Sequence, residues 1–538
     1  MMRHILLLSL ALLFATSALA DGVKSRNPKA VYRQDTAEAL TAAKSRVGLH
    51  STAPLTSEGS PKVPVILVQF PDLRFTAGLA DGSYCETDEQ ADSVNATYDL
   101  FCNGLDNGSH YTALGSGGAV KEYFSDQSNT LFTPDFVIIG PVTLDSSYVY
   151  YGKNSSTRTD VNLSTFYSEA LTKAQAVYTT WDDFDNDSNS TVDMAFFIFA
   201  GEGENGLDPD TDPDAENHIW PSERGSGGTI NGVSYGAYAC TNELYEGIID
   251  GIGVFVHELS HALGLPDLYD TGYVLFGMDY WDVMDSGCYC GDGYAPCNYS
   301  AYERDFMGWQ SLITLSADSA QQITLDPISS NGDGYKMVNP ENEDEYYVIE
   351  NRQNKGWDTY IGHGNSNYKM HGLLVTHIDY IQSRWTGNTV NYYSYSHPCC
   401  TILPADGSLL SSVDVDFSDN DSYTKYLLSM QGDPFPGYAD VDSLAGDMAT
   451  VYTTTGDTPG LMNQGLYDIT ENDDLTITLT YTPASTSETD AIVSLRADDN
   501  THNADNRIYT LSGVCLGTDA TNLPAGIYLR GGQKILVR

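Results

Sequence analysis

Two histidines four residues apart, with a glutamate directly after the first, occur in the segment His257-Glu258-Leu259-Ser260-His261. Residues four apart share one face of a helix, so both imidazoles can bind one ion through neutral nitrogens about 2.0–2.1 Å away. Zinc lowers the pKa of a bound water to about 7, and Glu258 is placed to accept the proton of that water. The spacing therefore predicts a catalytic zinc site with Glu258 as general base.

The six residues after this pattern predict a third ligand. Gly264 can adopt the left-handed conformation that ends a helix, and Pro266 prevents the helix from continuing. The chain then turns back and presents Asp267 to the same ion. Two imidazoles, one carboxylate and one open position are typical of a catalytic zinc site rather than a closed structural one.

Met284 lies seventeen residues after Asp267, in the segment WDVMDSG. A methionine in a tight turn beneath the zinc is a feature of the metzincins, whereas a methionine alone is usually only part of a core. At this distance after HExxHxxGxxD, Met284 is predicted to form that turn.

The elements that must position these residues alternate between buried strands and amphipathic helices. This alternation predicts an α/β catalytic domain with a twisted sheet and an active-site helix over 250–263. The strands are predicted at 62–70, 136–144 and 192–200, and the helices at 119–128 and 163–178. After residue 316 the segments 346–350, 373–378 and 475–481 are short and β-branched or aromatic, which predicts an all-β domain.

Changes in composition predict six parts of the chain. Residues 1–20 have a short positive start, an apolar run and the small residues Ala18-Leu19-Ala20, as in a secretory signal peptide. The apolar run is too short to span a membrane, and no later stretch is long enough. The other predicted parts are a pro-segment and linker (21–60), a catalytic domain (61–315), a β-rich domain (316–482), a linker (483–500) and a β tail (501–538).

The charge of −47, from 26 basic and 73 acidic residues, argues against nucleic acid and anionic lipid as partners. The chain has nine cysteines, and in an exported protein several are expected to form disulfides. A metal site at Cys288-x-Cys290 is the alternative for that pair.

Carboxylates and one amide recur at even spacing in the loop before the strand at 192–200. Calcium takes six to eight oxygen ligands, so this loop predicts a calcium site; a solvated acidic loop is the alternative. The predicted ligands are Asp185, Asp187, Asn189 and Asp193.

Two further patterns lack the structural context that their chemistry needs. Gly201–Gly206 spells GxGxxG, but Asp208-Pro209-Asp210 follows, where a dinucleotide site needs a helix. Gly232–Gly236 spells GxSxG, but a nucleophile elbow needs a strand before it and a helix after it. A serine hydrolase is therefore only the enzymatic alternative.

The chain resembles the immune inhibitor A family of secreted bacterial zinc metallopeptidases, a metzincin-like group. The stretch GVFVHELSHALGLPDLYD carries the resemblance, together with the turn around Met284 and several shorter segments. These segments are 65–72, 123–127 (YFSDQ), 218–221 (HIWP), 300–309 (SAYERDFMGW), 346–353 (YYVIENRQ) and 372–379 (GLLVTHID).

The resemblance implies zinc endopeptidase activity on proteins or peptides and a C-terminal β domain. It carries His257, His261 and Asp267 over as zinc ligands and Glu258 as base. A gluzincin-like arrangement would instead use a distant glutamate such as Glu303 as the third ligand, and Tyr289 is one candidate for stabilising the oxyanion.

The C-terminal segments IYTLSG (508–513), LPAGIY (523–528) and KILV (534–537) are similar to sorting tails of exported Bacteroidetes proteins. The tail favours an extracellular location, with attachment to the cell surface as a further expectation. A secreted or surface binding or adhesion protein with a non-catalytic zinc site is the second hypothesis. The sequence leaves the oligomeric state open.

Overall fold

The computed structural model describes most of residues 53–484 and three short strands nearer the C terminus. Short stretches are left out of this description: 81, 106, 108, 113–116, 157, 208–211, 273, 362–367, 369, 394–396 and 453–458. The predicted signal peptide, most of the pro-segment and most of the linker after 482 lie outside the described residues. The chain divides after Ala484 into two compact units.

A mixed seven-stranded sheet forms the centre of the first half of the chain. Its main strands are in the order β2-β1-β3-β6-β4, with β1, β2, β3 and β6 parallel and β4 antiparallel at the edge. Strands β5 and β7 pair with β6. The bounds are β1 Lys62–Gln69, β2 Asp135–Thr143, β3 Val192–Glu202, β4 Ser222–Arg224, β5 Thr229–Ile230, β6 Val233–Tyr245 and β7 Ile248–Ile249.

Helices cover both faces of this sheet because side chains along a buried strand alternate between two cores. In β1, Val65 and Leu67 enter the core that contains α1 and α5, whereas Ile66 and Val68 enter the core under α4. The helices are α1 Asp88–Asn103, α2 Val120–Gln127, α3 Tyr148–Gly152, α4 Leu163–Val177, α5 Gly253–Ala262 and α6 Ala301–Phe306. This arrangement is compatible with an α/β metallopeptidase domain.

Residues 313–482 form further sheets in the same compact unit as the central sheet. The largest has the order β13-β12-β11-β10-β8, and a second has the order β16-β17-β9. The strands are β8 Ile313–Thr314, β9 Gln321–Leu325, β10 Tyr335–Asn339, β11 Asn342–Arg352, β12 Gly372–Asp379, β13 Cys400–Ile402, β14 Thr450–Val451, β15 Gly460–Leu461, β16 Gly465–Glu471 and β17 Ile477–Thr482. An all-β domain is not confirmed, because α7 (Gln382–Thr386) and α8 (Asn420–Gly432) lie in the same region.

The two strands and two helices predicted before residue 180 and the strand at 192–200 are confirmed within two residues at each end. The predicted active-site helix begins later than expected, at Gly253. Asp250 does not join it because its backbone N–H donates to Glu243 O, at 2.9 Å, and thereby extends the β6–β7 hairpin. The sequence analysis missed α1 and the long strand β6.

The second compact unit contains a three-stranded antiparallel sheet in the region where a β tail is predicted. Its strands are β18 Ile508–Tyr509, β19 Gly526–Arg530 and β20 Gln533–Val537. Among all the described residues, no helix has both the length and the apolar character that crossing a membrane requires.

Candidate active site

The helix that carries the HExxH pattern is buried along its whole length. The ring of Phe255 stacks on Phe196 of β3 with 3.7 Å between ring centroids, which fixes the helix against the sheet. At its first residue, Gly253, a Cβ atom would lie 1.8 Å from the carbonyl oxygen of Cys288. A glycine is therefore required there for the helix to approach the segment Ser286–Gly293.

The turn after α5 has the form that the sequence predicts. Gly264 has a φ of 102°, which is strained for any residue with a Cβ. The N–H of Leu265 donates to Ser260 O at 3.1 Å and closes the end of the helix. Pro266 then leads the chain back, so that Asp267 faces the two histidines.

One oxygen of Asp267 lies between the two imidazoles. Its Oδ1 is 3.2 Å from Nε2 of His257 and 3.1 Å from Nε2 of His261. A tetrahedral ion with bonds of about 2.0–2.1 Å holds its ligand atoms about 3.3–3.4 Å apart. The three donor atoms are thus already spaced as ligands of one ion.

The other ring nitrogen of each histidine is bound to a backbone carbonyl. Nδ1 of His257 donates to Val283 O at 2.9 Å, and Nδ1 of His261 donates to Leu265 O at 2.8 Å. These bonds place the N–H on Nδ1 and leave the lone pair of each Nε2 for a metal, as in known metal sites. The residues present therefore fit zinc.

The electrostatic environment favours positive charge at this point. Burial lowers the pKa of His257, but the carboxylate of Asp267 and the thiol of Cys288 raise it, and the pKa is well above its usual value. His257 is 9%, His261 6% and Asp267 3% exposed, so water screens the carboxylate poorly. A cation at the donor atoms would be stabilised by the same field.

The predicted methionine turn packs directly against the helix, because Val283 supplies the carbonyl that binds His257. Met284 is fully buried, and its carbonyl accepts the N–H of Leu268 at 2.9 Å. Its own N–H donates to Oδ1 of Asp282 at 2.8 Å. The turn therefore fixes His257 and also the chain directly after Asp267.

A residue far along the sequence holds the third ligand. Asn388 accepts the N–H of Asp267 on its Oδ1, at 2.6 Å, and its Nδ2 donates to Oδ2 of Asp267, at 2.5 Å. These two bonds leave Oδ1 of Asp267 directed at the histidines. Sequence reasoning missed Asn388, because nothing in its neighbourhood distinguishes it from a turn asparagine.

The region after residue 316 also binds the methionine turn through a buried arginine. Arg352 donates to the carbonyl of Trp281 at 3.1 Å and to Glu350 at 3.0 Å, and it forms two bonds of 2.8 Å with Asp358. The indole N–H of Trp281 donates to Asp433 at 2.8 Å. The later sheets are thus part of the scaffold of the site.

Residues 51–311 match the family model described as immune inhibitor A peptidase M6, catalytic domain. This part of the chain belongs to the M6 peptidase family. The match spans the central sheet, α5, Asp267 and the methionine turn, so this M6 domain contains every residue predicted to bind zinc.

Known proteins with similar sequences are named as metalloproteases or immune inhibitors. The pre-pro-metalloprotease PrtV of Vibrio cholerae serotype O1 (strain M66-2) is 26% identical over 278 residues, 46% of this chain and 29% of PrtV. Immune inhibitor A of Bacillus thuringiensis subsp. alesti is 26% identical over 228 residues, 36% of this chain and 33% of that protein. The chain thus aligns with about a third of each relative.

Two further residues are candidates for the site: Glu303 as an alternative third ligand and Tyr289 as a residue that stabilises the oxyanion. Glu303 is fully buried and caps α6, where its Oε2 accepts the N–H of Ser300 at 2.7 Å, and it is not part of the donor group of His257, His261 and Asp267. Tyr289 is 8% exposed in the segment Ser286–Gly293, and its role at an oxyanion stays a prediction.

The acidic loop before β3 brings together three of its four predicted ligands. Oxygens of Asp185, Asp187 and Asp193 lie within 4.8 Å of one another. Asn189 instead directs its Nδ2 at Asp187, at 2.8 Å, so its amide acts as a donor there. Burial raises the pKa of Asp193 to about 6, with Asp187 and Asp185 adding to the shift.

The other sequence patterns do not form sites. Glu204–Gly206 is a single 3-10 turn, and among the described residues after it the next α-helix begins only at Gly253. Ser234 lies within β6, so the GxSxG segment has no nucleophile elbow.

The expected disulfides are not found: the eight described cysteines are buried and form no disulfide with one another. Each thiol is buried in a hydrophobic core, and a disulfide also requires that two thiols meet in a specific geometry. Among the described residues, the groups of three metal donors do not include Cys288 or Cys290.

Proposed function

We propose that this chain is a zinc endopeptidase that cleaves peptide bonds of extracellular proteins. The observation that carries the proposal is the spacing of 3.1–3.2 Å between Oδ1 of Asp267 and the Nε2 atoms of His257 and His261. Both histidines bind backbone carbonyls through Nδ1, which supports a role for Nε2 as a metal donor.

In this mechanism Glu258 is the general base and then the general acid. Zinc, when bound by His257, His261 and Asp267, would polarise the scissile carbonyl and make water acidic. Glu258 accepts the proton of the attacking water and later delivers it to the leaving amine. It is 6% exposed on α5, where bulk water does not compete strongly for its carboxylate.

The edge strand β4 supports a peptide as substrate. It pairs with β6 on one side and lies beside α5. No strand of the described chain pairs with its other side. An extended peptide can bind such an edge through main-chain hydrogen bonds, and its scissile bond would then lie beside α5.

Casein cleavage by the purified mature chain tests the activity, with and without a zinc chelator and together with metal analysis. About one catalytic zinc per chain, loss of cleavage with chelator and recovery on adding zinc are expected. Bound zinc without cleavage, even after removal of residues 21–60, would favour the binding or adhesion protein with a non-catalytic site.

Export is also part of the proposal. The N-terminal pattern of a signal peptide supports it, and Asp21 would then be the first residue of the mature chain. N-terminal sequencing of the protein from the culture medium and from the cell surface would check the cleavage point. The same fractions would show whether the C-terminal tail attaches the chain to the surface.

A structural calcium ion in the loop 185–193 is the second metal that we propose. Asp193 is 4% exposed, and its Oδ1 has no hydrogen-bond partner although it is buried. A buried carboxylate oxygen without a donor is costly, and calcium between Asp185, Asp187 and Asp193 would remove that cost.

A further inference from the structure

A second group of metal-binding side chains lies in the five-stranded sheet, outside the M6 domain. It consists of Asp379 at the end of β12 and of His397 and Cys399 just before β13. One donor atom of each lies within 4.8 Å of the others. We propose that these three residues, here called the sheet cluster, bind a zinc ion that is separate from the catalytic one.

The register of the sheet puts two of the donors side by side. His377 pairs with Thr401 and Ile378 with Cys400, and the N–H of Asp379 donates to the carbonyl of Cys399 at 2.8 Å. Residues opposite each other on antiparallel strands direct their side chains to the same face. Asp379 and Cys399 therefore lie opposite each other, and the donor group that contains both of them does not include Cys400.

The third donor is held over this pair. Nε2 of His397 is 2.8 Å from Oδ2 of Asp379. The imidazole stacks on the ring of Tyr452, with 3.8 Å between centroids and 5° between planes. This stacking fixes the ring plane, so the nitrogen stays directed at the carboxylate.

All three donors are removed from water. Asp379 is 2%, His397 8% and Cys399 0% exposed. The second oxygen of Asp379, Oδ1, is buried and accepts no hydrogen bond, so the protein leaves a carboxylate lone pair without a donor. A cation would satisfy that oxygen, which is the observation that points to a ligand.

Charged side chains surround the cluster, and one of them, Arg384, bonds a proposed ligand. Glu345, directly opposite Asp379 on β11, accepts from Nε2 of His377 at 2.8 Å and from Nδ2 of Asn339 at 2.8 Å. Nη1 of Arg384 donates to Sγ of Cys399, which stabilises a thiolate. Hydrogen bonds of this kind orient metal ligands and adjust the charge of the donor set.

The donor set selects the metal. Calcium and magnesium prefer oxygen alone, whereas a thiolate with an imidazole and a carboxylate suits zinc. Burial raises the pKa of Cys399 to about 12, and zinc would displace the thiol proton on binding. No glutamate adjoins one of these ligands in the sequence as Glu258 adjoins His257.

Cobalt binding to the full chain with His257→Ala and His261→Ala tests the proposal. That variant lacks two of the three donors of the group His257, His261 and Asp267, here called the α5 site. We expect one tightly bound cobalt per chain, with the near-ultraviolet absorption of a thiolate-to-cobalt charge transfer. Adding Cys399→Ser should remove this absorption, and adding the matched Cys400→Ser should leave it. The His257/His261 variant keeps the sheet cluster intact, so a misfolded Cys399 variant does not block the test.

Absence of the charge-transfer band in the His257/His261 variant would overturn the proposal, as would a band that survives Cys399→Ser. The result is independent of proteolysis. A protein without peptidase activity could still show the band, and an active peptidase could lack it.

Discussion

The α5 site and the sheet cluster each bring three metal donors together, but they are assembled differently. His257, His261 and Asp267 lie within one segment of the chain, so a helix and one turn are enough to collect them. Asp379 and Cys399 meet only because β12 and β13 pair in one register. Local geometry therefore determines the first group, and strand pairing determines the second.

The two groups also differ in what surrounds them. Glu258 directly follows His257 and is the proposed general base, and an edge strand lies beside the helix. The sheet cluster is surrounded by Glu345, His377 and Arg384, which bind its ligands or each other. A proposed base directly after a ligand in the sequence is therefore a feature of the α5 site alone.

The α5 site depends on residues far from its sequence pattern. Substitution of Arg352, which binds the methionine turn, is the strongest test of this dependence. Arg352→Met would leave Glu350 and Asp358 buried without their cation, and we expect the free energy of unfolding to fall by about 3–5 kcal/mol. Chemical denaturation measures this loss. Lys355→Met, at an exposed position nearby, should change stability by less than about 0.5 kcal/mol.

An equal loss in the two variants would show that the later sheets do not support the methionine turn through Arg352. Zinc binding measured on the same samples would then separate a folding defect from a defect of the α5 site.

Glu258→Gln tests the chemical difference between the two groups. Loss of the general base should lower kcat/KM for casein about a thousandfold, or about 4 kcal/mol, while the zinc content stays unchanged. Cleavage at the native rate would remove Glu258 from the mechanism. Loss of zinc together with activity would instead assign Glu258 a part in holding the metal.

Calcium binding to the loop 185–193 would add a third, oxygen-only group to the comparison. Calcium at about a hundred times its Kd should stabilise the native chain by about 2.7 kcal/mol, seen as a higher Tm. Asp193→Asn should abolish this response, because it removes the buried carboxylate. Asp183→Asn, at an exposed position, should keep it; equal responses in both variants would contradict the site.

Asn388→Ala tests how far a distant residue controls the α5 ligands. Without its two hydrogen bonds to Asp267, zinc affinity should fall about 10–100-fold, measured by competition with a chelator. Ser383→Ala, at an exposed position of the short helix α7 before Asn388, should leave the affinity unchanged. An unaltered affinity in Asn388→Ala would mean that the backbone turn alone orients Asp267.

The secondary structure near the site could be predicted because its signals are local. The apolar run of β1 and the helical spacing of α4 gave their bounds within a residue or so. Strand β6 was missed because Gly236 and several polar residues interrupt its apolar pattern, although the strand is buried between β3 and β4.

The disulfide expectation failed for a related reason. Cysteine count and export suggest pairing, but whether two thiols meet depends on the faces of strands and helices that carry them. Cys399 and Cys400 are adjacent in sequence and both buried, and neither forms a disulfide.

The sequence by itself determined the HExxHxxGxxD segment, its helix, the turn at Gly264 and the M6 family. Helical periodicity and the conformational freedom of glycine act over a few residues, so a short segment is sufficient to fix them. Only the tertiary structure decided that Asn388 holds Asp267, that Arg352 holds the methionine turn, and that Asp379, His397 and Cys399 converge. These contacts join segments up to 121 residues apart, and strand register and core packing select them rather than any local preference.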